Sequence, residues 1–339
     1  MSFPPPRDVF VGQLTREFYL TANDELVLDE PGGSCLYSAL GYRIWEDDHV
    51  PGMIARVGEN FPQKWLDRFQ EREIDARGIT ILPRSLDARN FSCQEKDGKW
   101  SRGNPVRHFA RLGKPLPNLL LDYQAEDQSP DSRRKLSERS IRQDDIPPFY
   151  QTATGVHLGP VDFLTHNLLP SVFRQAGFTT LTLDPCASYM GPDFFPDIPG
   201  LVTGLTAFLP TAAELRSLFK GKRADLWEMA AELGSFGCSL IVVRREGDGQ
   251  YLYVTDTDQR WEIPPYPSRK VKERGVGDAF CGGFLAGYRE TFDPLEAVLS
   301  GNVAASLVRE SLRPFYALDT LPGLPGARLK ALKKEVKRV

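Results

Sequence analysis

Long hydrophobic runs are missing from this sequence: no apolar stretch approaches the ~20 residues that a membrane-spanning helix needs, so no membrane span is expected. Cysteine is sparse. Cys35, Cys93, Cys186, Cys238 and Cys281 are scattered and never spaced Cys-x-x-Cys, which argues against a disulfide framework or a zinc site and for a reducing compartment. His49, His108, His157 and His166 are equally dispersed, with no His-Glu-x-x-His pair. No charge of one sign dominates either. With 42 Lys and Arg against 45 Asp and Glu, the net charge is −3, and no general basic surplus exists to displace counterions from a nucleic acid. The one basic stretch, Arg328, Lys330, Lys333, Lys334, Lys337 and Arg338, reads as the solvated face of a terminal helix packing through Leu329, Leu332 and Val336. Met1 to Arg7 has neither a basic leader nor an apolar segment, so a cytoplasmic location is expected.

What is present is ordinary globular material: 339 residues, 41% hydrophobic and 26% charged, enough for one large α/β domain or two smaller ones. Asp8 to Gly12 reads as a first strand, and Glu17 to Thr21 with Leu26 to Leu28 as a hairpin around Asn23-Asp24-Glu25. Pro31-Gly32-Gly33-Ser34 is expected to end the strand and open a helix through Leu36, Ala39 and Leu40, with Ser34 as cap. Met53 to Gly58, Ile79 to Leu82, Gly155 to Leu158, Thr180 to Asp184, Ala207 to Leu209 and Ser239 to Val243 read as further strands. The intervening helical patterns predict a parallel sheet with helical crossovers. Asn90 to Gln94 and Arg107 to Ala110 read as strands around an Asp97-Gly98-Lys99 turn. Residues 122–145, charged and apolar-poor, read as an exposed excursion or mobile insertion. Tyr251 to Val254 pairs with the strand before it across Gly247-Asp248-Gly249, and helices are expected near 278–291, 294–312 and 326–337. No internal repeat is found.

Chemistry concentrates at Arg274-Gly275-Val276-Gly277-Asp278, followed by the apolar run from Ala279 to Phe284. A glycine turn opening a helix leaves N–H groups unpaired at the positive end of the helix dipole, which together make an anion site. A Cβ would keep an oxyanion away from that backbone. Asp278 adds a carboxylate beside the anion, placed to take a proton. Anion hole plus base suggests phosphoryl transfer to a hydroxyl; the plain alternative is an aspartate acting only as a helix cap.

In order and spacing, these pieces resemble the ribokinase, or PfkB, family of carbohydrate and nucleoside kinases. The likeness is carried by the early strand and hairpin, Pro31-Gly32-Gly33, Phe208-Leu209-Pro210-x-x-x-Glu214, Gly275 to Phe284, and Gly301-Asn302-Val303-Ala304-Ala305-Ser306. It implies one ribokinase-like α/β/α domain over residues 1–339, with a mainly parallel sheet. A small β-lid would come from about 13–31 and 88–112, followed by a charged insertion at about 113–150. It implies ATP and Mg²⁺, a small-molecule sugar, cyclitol or nucleoside as acceptor, and a possible homodimer through the lid. Asp278 would be the base, and the N–H groups of Gly275, Val276 and Gly277 would stabilise the transferring phosphoryl group. Glu214 would lie near the magnesium. Glu17, Gly32, Gly33 and Tyr37 would meet the acceptor. Thr211, Arg244, Gly249, Lys272, Arg274 and Asn302 would lie on the nucleotide side, Asn302 alternatively as an internally bonded helix residue.

Three departures stand out. Lys272-Glu273-Arg274 replaces the family's Asp-Thr-Thr; a lysine cannot ligate a monovalent cation, so potassium activation is not expected. Lys272 or Arg274 either supplies positive charge to phosphate directly or points to solvent. Thr211 replaces the asparagine of Asn-x-x-Glu, and Arg244-Arg245-Glu246 replaces a Leu-Gly. The rival to an active kinase is a catalytically weakened relative that serves as a ligand-binding or interaction module.

Overall fold

A computed structural model describes residues 3–95, 99–125 and 130–339. The strands are β1 (Asp8–Val11), β2 (Thr15–Leu20), β3 (Leu26–Gly32), β4 (Gly52–Gly58), β5 (Asp75–Leu82), β6 (Arg89–Gln94) and β7 (Trp100–Arg102). They continue with β8 (Gly155–Leu158), β9 (Thr180–Leu183), β10 (Ala207–Phe208), β11 (Leu240–Arg245), β12 (Gly249–Val254), β13 (Gln259–Ile263) and β14 (Lys337–Arg338). The α-helices are α1 (Ser34–Arg43), α2 (Gln63–Glu71), α3 (Pro105–Arg111), α4 (Phe163–Gln175), α5 (Ile198–Val202), α6 (Ala212–Leu218), α7 (Leu226–Ser235), α8 (Val276–Thr291), α9 (Pro294–Arg309) and α10 (Leu324–Leu332).

The larger sheet has ten strands in the order β14-β13-β12-β11-β10-β9-β8-β1-β4-β5. From β11 to β5 every pairing is parallel, while β12, β13 and β14 add on antiparallel. Strand alternation sends side chains to opposite faces. Val9 and Val11 join Phe173, Leu215 and Leu233 in one core layer, and Phe10 joins Leu36, Phe284 and Val303 in the other. The four-stranded second sheet, β3-β2-β6-β7, has its own small core of Phe18, Leu20, Phe91, Cys93, Phe109 and Leu120. β2 is antiparallel to β3 and parallel to β6, so the early hairpin and the later excursion form one lid-like piece.

Helix α8 lies between α1 and α9, and its glycines make that possible. A Cβ on Gly282 would sit 1.8 Å from the carbonyl oxygen of Ser38, and one on Gly41 would sit 2.1 Å from that of Ala279. Backbone meets backbone there, a closeness only a missing side chain permits.

Four local expectations are corrected. Ser34 is not the cap of α1: Gly33 holds that position, and Ser34 Oγ accepts a hydrogen bond from Gln13 N at 3.0 Å. Residues 107–110 are helical, not extended, because Pro105 opens α3 and the Asn104 side chain accepts from Arg107 N. The second strand of that pair is Trp100–Arg102; Asp97 and Gly98 of the expected turn lie outside the described residues. The charged stretch does not stand free where it is described. Ser140, Ile141, Ile146 and Tyr150 are buried, Arg56 donates to Ser140 O at 3.2 Å, and Tyr150 Oη donates to Asp75 O at 3.1 Å. A few apolar anchors suffice there while most of the charges face outward; Asp145 is instead buried against Arg56. Finally, the terminal helix stops at Leu332, and Lys337–Arg338 pairs with β13 at the sheet edge.

The α1–α8 contact predicts that Gly282→Ala lowers unfolding free energy by roughly 1–3 kcal/mol or more. Gly326→Ala, in α10 with open space around its Cβ position, should be neutral or slightly stabilising. Urea unfolding of the two variants checks this, and equal midpoints would refute it.

Candidate active site

Helix α8 begins without a side-chain cap, and Gly275 precedes it in left-handed geometry at φ +75°. Glycine is required there twice over, since a Cβ would also lie 2.2 Å from the Tyr37 ring. The first-turn N–H groups are thus available to an anion. Asp278 stands third in the helix, so it is not the cap. Burial pushes its carboxyl up to about 6; Arg244 opposes the shift, Glu17 adds to it, and Arg274 opposes it.

One group of the expected residues gathers on the lid side of this turn. Glu17 is buried, its Oε1 accepts from Thr15 Oγ1 at 2.6 Å, and its Oε2 has no hydrogen-bond partner among the described residues. Gly32 lies against it so closely that a Cβ would meet Glu17 Cγ at 2.3 Å. Gly33, at φ +98°, carries the chain across Gln13 into α1. Tyr37 is buried beneath Gly275, and burial holds its hydroxyl protonated. Lys272 Nζ donates to Tyr37 Oη at 2.8 Å and stands 4.0 Å from the centre of that ring. Burial lowers the Lys272 ammonium to about 7, against the pull of Glu17 and Asp278. Arg274 Nε donates to Ser92 Oγ of β6 at 2.8 Å and lies 3.9 Å from Glu17 Oε2. Neither cation points to solvent.

A second group lies at the other side of the turn. The Arg244 guanidinium reaches Gly277, where a Cβ would be 2.6 Å from Nη1. Arg244 pairs with Asp184 at the end of β9, and its Nε is buried without a partner. Burial opposes the charge, yet Asp184 beside it pushes the guanidinium above its ordinary value. Cys281 Sγ is 3.5 Å from Asp184 Oδ2. Thr211, bridged to Arg244 through the backbone, caps α6. Its N and Oγ1 donate to Glu214 Oε2 at 2.8 and 2.7 Å, and Oγ1 accepts from Glu214 N. This arrangement suits phosphate: N–H groups, a buried cation and carboxylates for a hydrated Mg²⁺ meet at the carboxyl ends of parallel strands.

Asn302 and Gly249 belong to a different neighbourhood. Asn302 Oδ1 accepts from Tyr266 N, while Nδ2 donates to Gln250 Oε1 and Pro264 O. Its amide fastens residues 264–266 to α9, the internally bonded alternative. Gly249 is glycine because a Cβ would lie 2.0 Å from Ile263 O.

The sequence reading did not single out Asp184, Thr15 or Ser92. Asp184 had one visible signal, its place at the end of a parallel strand. Thr15 had a local signal, two residues before Glu17 and so on the same face of β2, while Ser92 had none, because only the folded lid brings it to Arg274.

The pfkB family carbohydrate kinase profile matches residues 151–320. The chain is 25% identical over 243 residues to a cytidine kinase of Thermococcus kodakarensis, covering 70% of this chain and 73% of that one. Several other curated relatives match over less than two thirds of their length. Among solved structures, a nucleoside kinase of Burkholderia thailandensis in complex with inosine superposes with a TM-score of 0.67 at 17% identity, covering 96% of each chain. Arabidopsis thaliana ribokinase complexed with ribose and ATP gives 0.64 at 14%, covering 94% of this chain and 98% of that one. The chain belongs to the pfkB family of carbohydrate kinases, and its three-layer architecture is ribokinase-like. It is a phosphotransferase of the sugar and nucleoside kinase class.

The buried Arg244–Asp184 pair predicts that Arg244→Met alone costs about 3–5 kcal/mol by stranding a buried carboxylate. Adding Asp184→Asn should recover much of that loss. Chemical denaturation of both variants decides it, and equal stability of the two would contradict the pairing.

Proposed function

We propose that this chain transfers the γ-phosphoryl group of ATP to a hydroxyl of a sugar, cyclitol or nucleoside, with Asp278 taking the hydroxyl's proton. The observation that carries this reading is a carboxyl raised to about 6 at an uncapped helix N-terminus. A base is most useful when its pKa lies near the working pH.

ATP would supply the phosphoryl group, and Mg²⁺ would neutralise charge on its phosphates. The N–H groups of Gly275, Val276 and Gly277 would stabilise charge on the transferring group, with the Arg244 guanidinium at Gly277 as their fixed cationic neighbour. Glu214, held by Thr211, would meet the water shell of Mg²⁺. Glu17 Oε2, buried and unpartnered, suits an acceptor hydroxyl, and Tyr37 and the Gly32-Gly33 backbone would wall the same pocket. Arg274 would tie the anion turn to the lid. Lys272 would supply through Tyr37 a positive charge that needs no bound monovalent ion. Asn302 and Gly249 would shape the nucleotide side by holding residues 263–266.

The deciding experiment follows ATP consumption over sugars, cyclitols and nucleosides. Asp278→Asn should lose at least ~100-fold in rate while still showing a thermal shift with ATP and Mg²⁺. Full activity in that variant would refute the mechanism, and no shift in the unaltered protein at millimolar nucleotide would instead support a kinase-derived binding protein.

For the unaltered enzyme, kcat/KM should rise with pH through about 6, as Asp278 loses its proton, and fall again above about 7, as Lys272 loses its charge. A flat profile from pH 5 to 7 would refute the assignment of the base. Activity should also be unchanged when K⁺ is replaced by choline. Strong K⁺ dependence would show that Lys272 does not make the ion dispensable.

A further inference from the structure

The lid carries a cluster that the kinase reading does not use. Cys93 lies in β6, Glu95 just beyond its end, and His108 on α3; one ligand atom from each comes within 4.8 Å of the others. These residues follow no zinc-binding spacing, and the scattered cysteines argued against a zinc site. Helix α3, formed over residues 107–110 where a strand was expected, brings His108 over the β6 end.

The details are those of a site prepared for a cation. Glu95 Oε2 is held by Arg111 Nη1 at 2.9 Å, while Oε1 accepts from Ser101 Oγ at 3.4 Å and faces His108 Nδ1 at 3.7 Å, beyond hydrogen-bond range. The same Ser101 hydroxyl lies 3.2 Å from His108 Nε2, the kind of outer contact that orients a ligating imidazole. Cys93 and His108 are buried, and Glu95 is partly exposed, giving an ion a route in. Sulfur, imidazole and carboxylate together suit Zn²⁺ and not Mg²⁺ or Ca²⁺, which prefer oxygen.

We propose that Cys93, Glu95 and His108 form a zinc site within the lid, through Sγ, Oε1 and Nδ1, with water as the fourth ligand. Binding draws the three atoms together by about an ångström to reach tetrahedral distances. The Cys93 proton is released to solvent, so thiolate and carboxylate balance the ion's charge. Arg111, 4.0 Å from Cys93 Sγ, keeps its hold on Glu95 Oε2 and offsets part of the anionic excess before the ion arrives.

Such an ion staples β6 to α3 across a lid core of few side chains. β6 pairs with β2 in the register Glu17↔Asn90 and Leu20↔Cys93. Ser92, the neighbour of Cys93, points to the other face and holds Arg274. The site therefore fixes the strand that joins lid and anion turn.

The test uses the full chain, stripped of metal, and titrates it with ZnCl₂ by calorimetry and with CoCl₂ by absorption. One Zn²⁺ should bind per chain, and Co²⁺ should give a near-ultraviolet thiolate-to-cobalt band. Cys93→Ser should abolish the band, and His108→Asn and Glu95→Gln should each weaken Zn²⁺ binding at least ~10-fold. Glu95, partly exposed, can be changed without disturbing the lid core; circular dichroism checks the fold of all three variants. A missing thiolate band, a band surviving in Cys93→Ser, or Zn²⁺ affinity indifferent to Glu95→Gln and His108→Asn would each overturn the proposal. None of these readouts requires the acceptor or the kinase reaction.

Discussion

Everything at this site depends on how closely α8 can approach its neighbours. Its N-terminus is an anion site only if its first turn faces the carboxyl ends of the parallel strands, and the packing of its sides sets that direction. Gly282 and Gly41 let α8 and α1 touch backbone to backbone. Gly283 and Gly287 admit Ala304 and Ser300 of α9, and Gly301 admits Phe280. Side chains at these contacts would push the helices apart and tilt the turn that carries Gly275 and Gly277. The paired glycines after Asp278 thus serve the chemistry indirectly, by fixing a helix rather than touching a ligand.

The second constraint is electrostatic. Glu17, Asp184, Lys272, Arg244, Arg274 and Asp278 share a small, mostly dry region, where separated charges are expensive. The arrangement limits that cost by pairing or near-pairing: Arg244 with Asp184, Arg274 beside Glu17 and on Ser92, Lys272 on a tyrosine. It also has a use. The burial that raises Asp278 toward neutrality is what makes a carboxylate a competent proton acceptor, and the cation beside Gly277 is already in position when an anion arrives. The two groups of residues, one around Glu17 and one around Arg244, both reach the turn from Arg274 to Asp278.

The lid is coupled to that turn through one strand. β6 sends Phe91 and Cys93 into the lid's core and Ser92 toward Arg274, so its alternation links lid packing to the anion loop. Parallel pairing with β2 sets Asn90 opposite Glu17. Order in the lid and geometry at the Glu17 carboxylate are therefore not independent.

Local patterns carried much of this. The strand–helix alternation and the Gly275–Asp278 turn were legible because each is a short-range arrangement whose chemistry needs particular residues at particular spacing. Where reading failed, longer-range contacts outweighed local composition. Residues 107–110 looked extended until Asn104 and Pro105 are seen to start a helix, and the charged stretch looked loose although Ile141, Ile146 and Tyr150 anchor it. The sequence by itself determined the α/β class and the glycine turn that carries Asp278 into a helix. Only the tertiary structure decided where Lys272, Arg244 and Arg274 direct their charge, what Asn302 holds, and that Cys93, Glu95 and His108 meet. Long side chains take their direction from the partners that folding brings within reach, and those partners lie tens to hundreds of residues away along the chain.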